Sequence, residues 1–188
     1  MKISAIEIRK GNIIEYNGKL WAVLKNEIMS PGKGASVAQV EMRDVVSGTK
    51  NNVRFRTQET IERAEVFELE FNYLFNDGEN YTFMNNETFD QLVVPKDVIG
   101  EPAVFLQDNM TVTIQMHEAK ALNVTLPETV IMTITEADPV VKGQTASSSY
   151  KPAVLENGAR VMVPPFIAAG ERIIVRTEDS SYVERAKD

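Results

Sequence analysis

Residues 12–25 read NIIEYNGKLWAVLK, two apolar-rich segments separated by the dipeptide Asn17-Gly18. Asn and Gly tolerate the positive φ angles that a two-residue type I′ turn requires, so this stretch predicts a β-hairpin. A similar signal recurs at Asn76-Asp77-Gly78 and at Asn157-Gly158, each time between short apolar runs. Hairpin signals along the whole chain are typical of an all-β protein.

Alternating apolar and polar residues fill the intervals between these turns. Residues 38–43 and 111–116 follow this period of two, which predicts strands with one buried face. A weak helix signal lies at residues 97–106, where Gly100 and Pro102 interrupt it. We therefore predict an all-β fold with minor helix.

Two junctions divide the chain. Near residues 63–65 the balance of charge changes sign, and Pro127 lies between two strand patterns. One large sandwich would also accommodate this many strands, but the junctions favour small barrels. We predict three β-barrel domains, at residues 1–64, 65–127 and 128–188. Domains of this size bury only about 60% of their unfolded surface, so tight barrel closure or mutual docking would support them.

The composition is that of a globular protein, and the absence of cysteine fits a reducing cytoplasm without proving one. The 188 residues include no cysteine, which excludes disulfides, thiol nucleophiles and cysteine zinc sites. Neither a signal peptide nor an apolar run of membrane-spanning length is present, so we expect a soluble cytoplasmic protein without a membrane partner.

The net charge of −7 is unevenly distributed. Residues 1–63 carry eleven bases and seven acids, a net +4, whereas residues 64–188 carry nine bases and twenty acids, a net −11. A basic module joined to an acidic remainder suggests that one end meets a polyanion. Solvated charges that happen to cluster would give the same pattern.

The most informative local segment is Ser30-Pro31-Gly32-Lys33-Gly34-Ala35-Ser36, which lies between two predicted strands. Glycines on both sides of Lys33 leave the lysine unshielded and let the backbone approach a ligand closely. We expect a hairpin tip that presents one cation, with a solvated turn of no function as the alternative. A phosphate-binding P-loop is excluded, because Ile28 and Gly34 occupy the positions of its first glycine and its Ser or Thr.

The sequence carries no signature of an enzyme, and we expect neither catalytic residues nor a cofactor or metal. His117 is the one histidine, and no nucleophile elbow, dinucleotide-binding motif or two-histidine metal spacing is present. Some aromatic residues could stack on bases, but strand spacing makes most of them core residues. The aromatic residues concerned are Trp21, Phe55, Tyr73, Phe75, Tyr81, Phe83 and Phe89. Tyr182 and Arg185 follow a turn near the C-terminus and are better candidates for exposure.

Three groups of residues match one known family. They are PGKG at 31–34; YLFNDGE at 73–79 with FMNNETF at 83–89; and Lys151-Pro152-Ala153, Gly158, Val161-Met162-Val163-Pro164, Ile167 and Gly170. Through them the chain resembles the bacterial elongation factor P family from end to end. The match is specific because no single short motif has to carry it.

This resemblance implies a fold and a function. The fold would be an SH3-like N-terminal barrel followed by two OB-folds in an elongated L. The function would be that of a translation elongation factor that binds both ribosomal subunits, between the peptidyl-tRNA and exit sites. It would stimulate peptide-bond formation at stalled polyproline sequences, and the ribosome would remain the catalyst. A monomer is expected. The related initiation factor 5A usually has two domains, and the third domain argues against that assignment.

The resemblance also implies roles for individual residues. Lys33 would contact the acceptor end of the peptidyl-tRNA, supported by Pro31, Gly32 and Gly34. Lys33 would either be extended by a modifying enzyme, with a β-lysyl or an aminopentanol group, or remain unmodified. Contacts with the small subunit near the exit site are implied for Gly143, Gln144, Thr145, Tyr182 and Arg185. Many members carry aspartate where this chain has Gln144, so a negative charge is missing there.

Two alternatives compete with this interpretation. A general single-stranded nucleic-acid-binding protein could use the same barrels, although the −11 remainder disfavours a basic binding groove. The second alternative is a divergent elongation factor P paralogue with a separate ribosomal task. Gln144, where the chain departs from the family pattern, supports this alternative.

Overall fold

The computed structural model describes residues 1–140 and 149–187. In this part of the chain the regular structure consists of sixteen strands, one single-turn α-helix and two short 3-10 helices. The prediction of an all-β protein with minor helix is confirmed. The chain divides into two compact units, residues 1–69 with 115–123 and residues 70–114 with 124–188.

The first sheet is antiparallel, with strand order β1-β6-β2-β3-β4-β5. Its strands are β1 (Lys2–Ser4), β2 (Ile13–Tyr16), β3 (Lys19–Met29), β4 (Val37–Asp44), β5 (Lys50–Arg56) and β6 (Thr60–Arg63). Asn17 and Gly18 both have positive φ, 52° and 73°, between β2 and β3. The type I′ hairpin predicted at this turn therefore forms.

A β-bulge at Leu24 determines which side chains of the later part of β3 face the core. Val23 pairs with Met42 and Lys25 with Glu41, so Leu24 is the extra residue of the longer strand. The bulge turns Asn26 to the core side, where its Nδ2 donates hydrogen bonds of 3.0 Å to the backbone carbonyls of Ala5 and Ile8. The core of this sheet is Ile3, Ala5, Ile8, Ile14, Trp21, Val23, Ala38, Val40, Met42, Phe55 and Ile61.

The second sheet has the strand order β11-β10-β7-β8-β9. Its strands are β7 (Phe67–Asn76), β8 (Asn80–Asn85), β9 (Gln91–Pro95), β10 (Thr111–His117) and β11 (Lys120–Thr125). Between β9 and β10 lie α1 (Lys96–Ile99) and the 3-10 helix Glu101–Phe105, separated by Gly100 at φ 79°. The weak helix signal at residues 97–106 is thus confirmed, with the break where Gly100 predicted it.

The third sheet has the strand order β14-β13-β12-β15-β16. Its strands are β12 (Thr129–Ala137), β13 (Lys151–Leu155), β14 (Arg160–Val163), β15 (Arg172–Arg176) and β16 (Tyr182–Arg185). At the Asn157-Gly158 turn only Gly158 has positive φ, so this hairpin is not of type I′. Asn157 instead donates from Nδ2 to the Val104 carbonyl oxygen at 2.8 Å.

Each sheet takes its strands from one of the three segments predicted as domains, at residues 1–64, 65–127 and 128–188. The domain boundaries themselves stay a prediction. Of the seven aromatic residues expected to be mostly core, five are buried, and Phe75 and Phe89 are exposed.

Candidate functional site

The segment from Ser30 to Ser36, here called the lysine loop, is the tip of the β3–β4 hairpin. The two strands stay paired up to Met29 opposite Val37, so the loop begins and ends at fixed points. The Oγ atoms of Ser30 and Ser36 lie 3.1 Å apart and form one hydrogen bond across its base. The loop is thus closed by side chains beyond the last strand pair.

Glycine is required in the loop at one position. Gly34 has φ 110°, a conformation that residues with a β-carbon rarely adopt. Gly32 has no such angle, and a β-carbon added there would meet no atom within 4 Å. Gly34 therefore shapes the turn, while Gly32 leaves open space beside Lys33.

The Lys33 side chain is exposed at this tip. Within residues 1–140 and 149–187 it makes neither a hydrogen bond nor an ion pair. A solvated ammonium group has three N–H donors and one full charge available to an anion. The arrangement suits the capture of an anionic group that approaches the hairpin end.

Other lysines of this sheet are paired with acids. Lys25 Nζ lies 2.8 Å from Glu27 Oε1, and this hydrogen bond and the charge of Glu27 raise the pKa of Lys25. Lys50 Nζ lies 3.9 Å from Glu41. These cations are partly neutralised by their partners, unlike Lys33.

Two arginines extend the unpaired positive charge along the edge strand β5. Arg54 and Arg56 are exposed and lie two residues apart, so they share one side of the strand. Arg56 pairs in register with Val37 at the foot of the lysine loop, and Arg54 pairs with Gln39. In the described part of the chain neither guanidinium has an acidic partner. Lys33, Arg54 and Arg56 therefore give the loop end of the sheet three exposed side-chain cations without a salt bridge to any described residue, and we call it the basic end.

Asp44 organises the opposite end of the same hairpin. This carboxylate is buried, accepts hydrogen bonds from the backbone N–H groups of Val46 at 2.8 Å and Ser47 at 3.3 Å, and lies 3.6 Å from Lys19 Nζ. The hydrogen bond from Val46, more than the charge of Lys19, holds the pKa of Asp44 below its ordinary value. Asp44 is thus a structural residue.

Arg185, a predicted small-subunit contact, is engaged within the third sheet. Its Nε lies 3.1 Å from Glu171 Oε1, and its Nη2 donates to the Phe166 carbonyl oxygen at 3.1 Å. The guanidinium carbon also lies 4.9 Å from the centre of the Phe166 ring. Half of its side-chain surface remains exposed, so this guanidinium supports the sheet while one side faces solvent.

Tyr182, the neighbouring predicted contact, lies in an open aromatic groove. Its ring meets Tyr150 edge to face at 6.3 Å, and both rings line a cavity of about 550 Å³ together with Met162. Burial raises the pKa of the Tyr182 hydroxyl. Gly143, Gln144 and Thr145 lie outside the residues that the structure describes.

The comparisons with known proteins cover the chain almost completely. Three family models match in series: the elongation factor P KOW-like domain at residues 4–61, the elongation factor P OB domain at 66–124, and elongation factor P, C-terminal, at 130–185. Elongation factor P of Rhodospirillum centenum is 57% identical over 188 residues, and that of Acidiphilium cryptum is 56% identical over 187, with each chain covered completely. The chain belongs to the elongation factor P family.

Membership in the elongation factor P family makes the protein a translation elongation factor. Solved structures agree with the fold: a eukaryotic translation initiation factor 5A from Methanococcus jannaschii matches with a TM-score of 0.56 at 16% identity, over 67% of this chain and 94% of that one. A translation initiation factor eIF-5A family protein from Naegleria fowleri matches with a TM-score of 0.52 at 17% identity, over 67% and 98%. At such identities the likeness concerns the fold alone.

Sequence reasoning identified the loop of this elongation factor P family member but missed its surroundings. The pairing of Ser30 with Ser36 and the position of Arg54 and Arg56 beside the loop depend on strand register. The alternation of polar residues along β5 could have placed both arginines on one face. It could not have placed that face at the foot of the lysine loop. Among the described residues, no helix could span a membrane, and no cluster of three His, Cys, Asp or Glu side chains could hold a metal.

Proposed function

We propose that this protein binds the ribosome between the peptidyl-tRNA and exit sites and stimulates peptide-bond formation at stalled polyproline sequences. Membership in the elongation factor P family supports the setting, and the exposed, unpaired Lys33 at the glycine-flanked hairpin tip supports the mechanism. The partners are both ribosomal subunits and the peptidyl-tRNA, and the protein acts as a monomer.

The mechanism is positioning. Proline is a poor partner in peptide transfer because its ring fixes φ and restricts the approach of the reacting groups. Lys33 donates hydrogen bonds to phosphate or hydroxyl groups of the tRNA acceptor end and holds it in a reactive geometry. Alignment of this kind lowers the activation barrier because part of the entropy of orientation is lost before the reaction starts. In this mechanism the factor forms no covalent bond to the substrate, and the ribosome remains the catalyst.

The basic end supports an RNA partner for this loop. Arg54 and Arg56 continue the positive charge from Lys33 along β5, and arginine binds phosphate through two parallel hydrogen bonds. Lys33 would reach the acceptor end while the two arginines hold the adjacent phosphates. The −9 charge of residues 65–127, with eleven acids and two bases, would limit non-specific binding to other RNA.

Lys33 is also the proposed site of modification. Its Nζ is exposed at an open tip, so a modifying enzyme could reach it without unfolding the hairpin. A β-lysyl or aminopentanol extension would lengthen the side chain and place an additional amine nearer the acceptor end. Intact-mass measurement of the protein from its native host, with peptide mapping, decides between an extended and an unmodified Lys33.

The third sheet would contact the small subunit near the exit site. The proposed contact residues are Gly143, Gln144, Thr145, Tyr182 and Arg185. For Tyr182 and Arg185 the support is partial exposure on neighbouring surfaces of one sheet.

A reconstituted translation assay with a Pro-Pro-Pro template tests the central proposal. Lys33→Ala is expected to abolish the stimulation and leave the fold intact, because Lys33 is exposed and makes no hydrogen bond or ion pair within the described residues. Lys10→Ala is the matched control: it removes an exposed lysine from the same sheet region and should retain full activity. Full stimulation by Lys33→Ala would overturn the proposal. Tight binding of free single-stranded RNA by the wild type would favour a general nucleic-acid-binding protein instead.

A further inference from the structure

An apolar row crosses the outer side of the second sheet. Phe75 on β7 pairs in register with Thr82 on β8, and Thr82 pairs with Val93 on β9. The three side chains therefore stand side by side across neighbouring strands. Phe75 is 58% exposed and Val93 is 59% exposed, while Thr82 between them is 6% exposed. We call these three residues the Phe75–Val93 row.

A β-bulge puts Phe75 on this outer side. Phe71 and Tyr73 are buried, and strict alternation would bury Phe75 with them. The register shifts between Tyr73 and Phe75, so Leu74 is the extra residue and Phe75 changes sides. The fold thus exposes a large aromatic side chain at a position where the sequence pattern places it in the core. Large exposed apolar side chains that share one side of a sheet often mark an interaction surface.

Exposed acidic side chains lie along β7 on both sides of the row. Glu70 precedes the bulge, at a position that alternates with the inward Phe71 and Tyr73. On the other side of the row, the turn from β7 to β8 carries Asp77 and Glu79. All three belong to the segment 65–127, which has eleven acids, two bases and a net charge of −9.

The charge decides which partner fits. Nucleic acid is disfavoured, because its phosphates would be repelled by the carboxylates on both sides of the row. A second copy of this chain would bring two acidic surfaces together and is disfavoured for the same reason. A protein surface with an apolar centre and a lysine- or arginine-rich rim complements both the row and its flanks.

We propose that the Phe75–Val93 row is a docking surface for a basic protein. The apolar row fills the centre of the interface, and the flanking carboxylates pair with cations at its rim. That this partner is a ribosomal protein rests on the proposed function, since ribosomes are where the factor would find such a surface. The contact is separate from the RNA contacts proposed for Lys33, Arg54 and Arg56.

Opposite charges at one position test the proposal. Val93 lies on an edge strand and is exposed, so Val93→Lys and Val93→Glu should both fold, which thermal unfolding checks. Fluorescently labelled protein is titrated with ribosomes that carry peptidyl-tRNA and an empty exit site. Both variants lose the apolar contact, but only lysine adds repulsion from a basic partner. We expect Val93→Lys to weaken binding by about tenfold and Val93→Glu by less.

The competing outcomes are distinct. If Val93→Lys binds more tightly than Val93→Glu, the row faces an anionic partner such as RNA and the proposal is wrong. If both variants weaken binding equally, the partner is not basic and the proposal is also wrong. If neither variant changes the affinity, the row is not an interface. A photo-crosslinking amino acid at position 93 gives a second readout: the product should be destroyed by protease and resist ribonuclease, and the reverse sensitivity contradicts a protein partner.

The same experiment separates this inference from the proposed function. Wild-type protein that binds ribosomes without stimulating Pro-Pro-Pro synthesis would defeat the proposed function. The order of affinities of the two Val93 variants would still decide the docking surface.

Discussion

The hydroxyl oxygens of Ser30 and Ser36 lie 3.1 Å apart, so a single hydrogen bond joins the two stems of the lysine loop beyond the last strand pair. Both residues are needed for this closure, and neither contributes to the core. The hydrogen bond restricts the motion of the loop that carries Lys33 but adds little to the stability of the fold. Its contribution should therefore appear in activity more than in stability.

Replacing both serines by alanine should loosen the loop and reduce the stimulation of Pro-Pro-Pro synthesis several-fold. The expected change in the free energy of unfolding is about 1 kcal/mol or less, because the hydrogen bond is solvent-exposed. Urea unfolding and the translation assay measure the two quantities. Ser47→Ala with Thr49→Ala is the matched control, since it removes a 3.1 Å hydroxyl pair from the β4–β5 turn, at the opposite end of β4. Equal activity of the two double variants would show that loop closure has no role.

The two loop glycines should respond differently to alanine. Gly34→Ala forces a β-carbon onto a backbone with φ 110° and should cost about 1–3 kcal/mol or rearrange the loop. Gly32→Ala meets no atom within 4 Å and should change stability by less than about 1 kcal/mol. Urea denaturation compares them, and the translation assay should show the larger loss for Gly34→Ala. A larger loss of stability for Gly32→Ala would contradict the loop conformation.

Asp44 should make stability depend on acid pH. Its folded-state pKa lies below its ordinary value of 3.8, chiefly because the Val46 N–H binds the charged form. Its stabilisation is therefore complete above the unfolded-state pKa and is lost as the pH falls through the folded-state pKa. Asp44→Asn should be less stable than the wild type at neutral pH, and the difference should shrink as the pH falls below 3.8.

Urea unfolding of both proteins between neutral and acid pH measures this convergence. Asp108→Asn, at an exposed turn residue, controls for the general loss of one negative charge. If the difference in stability between wild type and Asp44→Asn stays constant with pH, the pKa of Asp44 is not lowered by folding.

The unpaired arginines should determine the salt dependence of ribosome binding. Arg54→Gln with Arg56→Gln should lower the slope of log affinity against log salt by about two, because each arginine would neutralise one phosphate. Lys25→Gln with Lys50→Gln removes the same charge from the same sheet, but those lysines are paired with Glu27 and Glu41 and should matter less. At saturating concentrations of the factor, both double variants should still stimulate Pro-Pro-Pro synthesis to the wild-type maximum.

Titration of labelled variants against ribosomes with and without peptidyl-tRNA gives the slopes. A loss that appears only with peptidyl-tRNA assigns the phosphates to the tRNA, whereas a loss under both conditions assigns them to ribosomal RNA. Identical slopes for the two double variants would mean that the arginines do not contact phosphate.

The sequence predicted local structure better than the arrangement of its neighbours. Asn17-Gly18 gave the correct turn because its positive φ values are a local property of the two residues. The hairpin expected at Asn157-Gly158 also forms, but with a different turn. The Gly158 N–H donates to the Leu155 carbonyl and the Leu155 N–H to the Ala159 carbonyl, so the loop has three residues, 156–158. The Asn-Gly dipeptide alone does not specify the length of the loop.

The same limit applies to the lysine loop and its surroundings. The exposure of Lys33 followed from its glycine neighbours, but the position of Arg56 at the foot of the same loop depends on the pairing of β4 with β5. The exposure of Phe75 depends on a β-bulge, and no residue type in this stretch predicts that bulge. Sequence patterns thus predict which side chains are unusual, whereas strand register determines which of them meet.

The bulge at Leu24 limits how the lysine hairpin can change length during evolution. Inserting or deleting one residue between this bulge and the loop would exchange the two faces of β3, exposing Ile28 further and burying Glu27. Asn26 would also leave the carbonyls of Ala5 and Ile8. Natural hairpins of this type should therefore differ in length by residue pairs, taken equally from both strands. A single-residue change is tolerable only where the bulge itself is gained or lost.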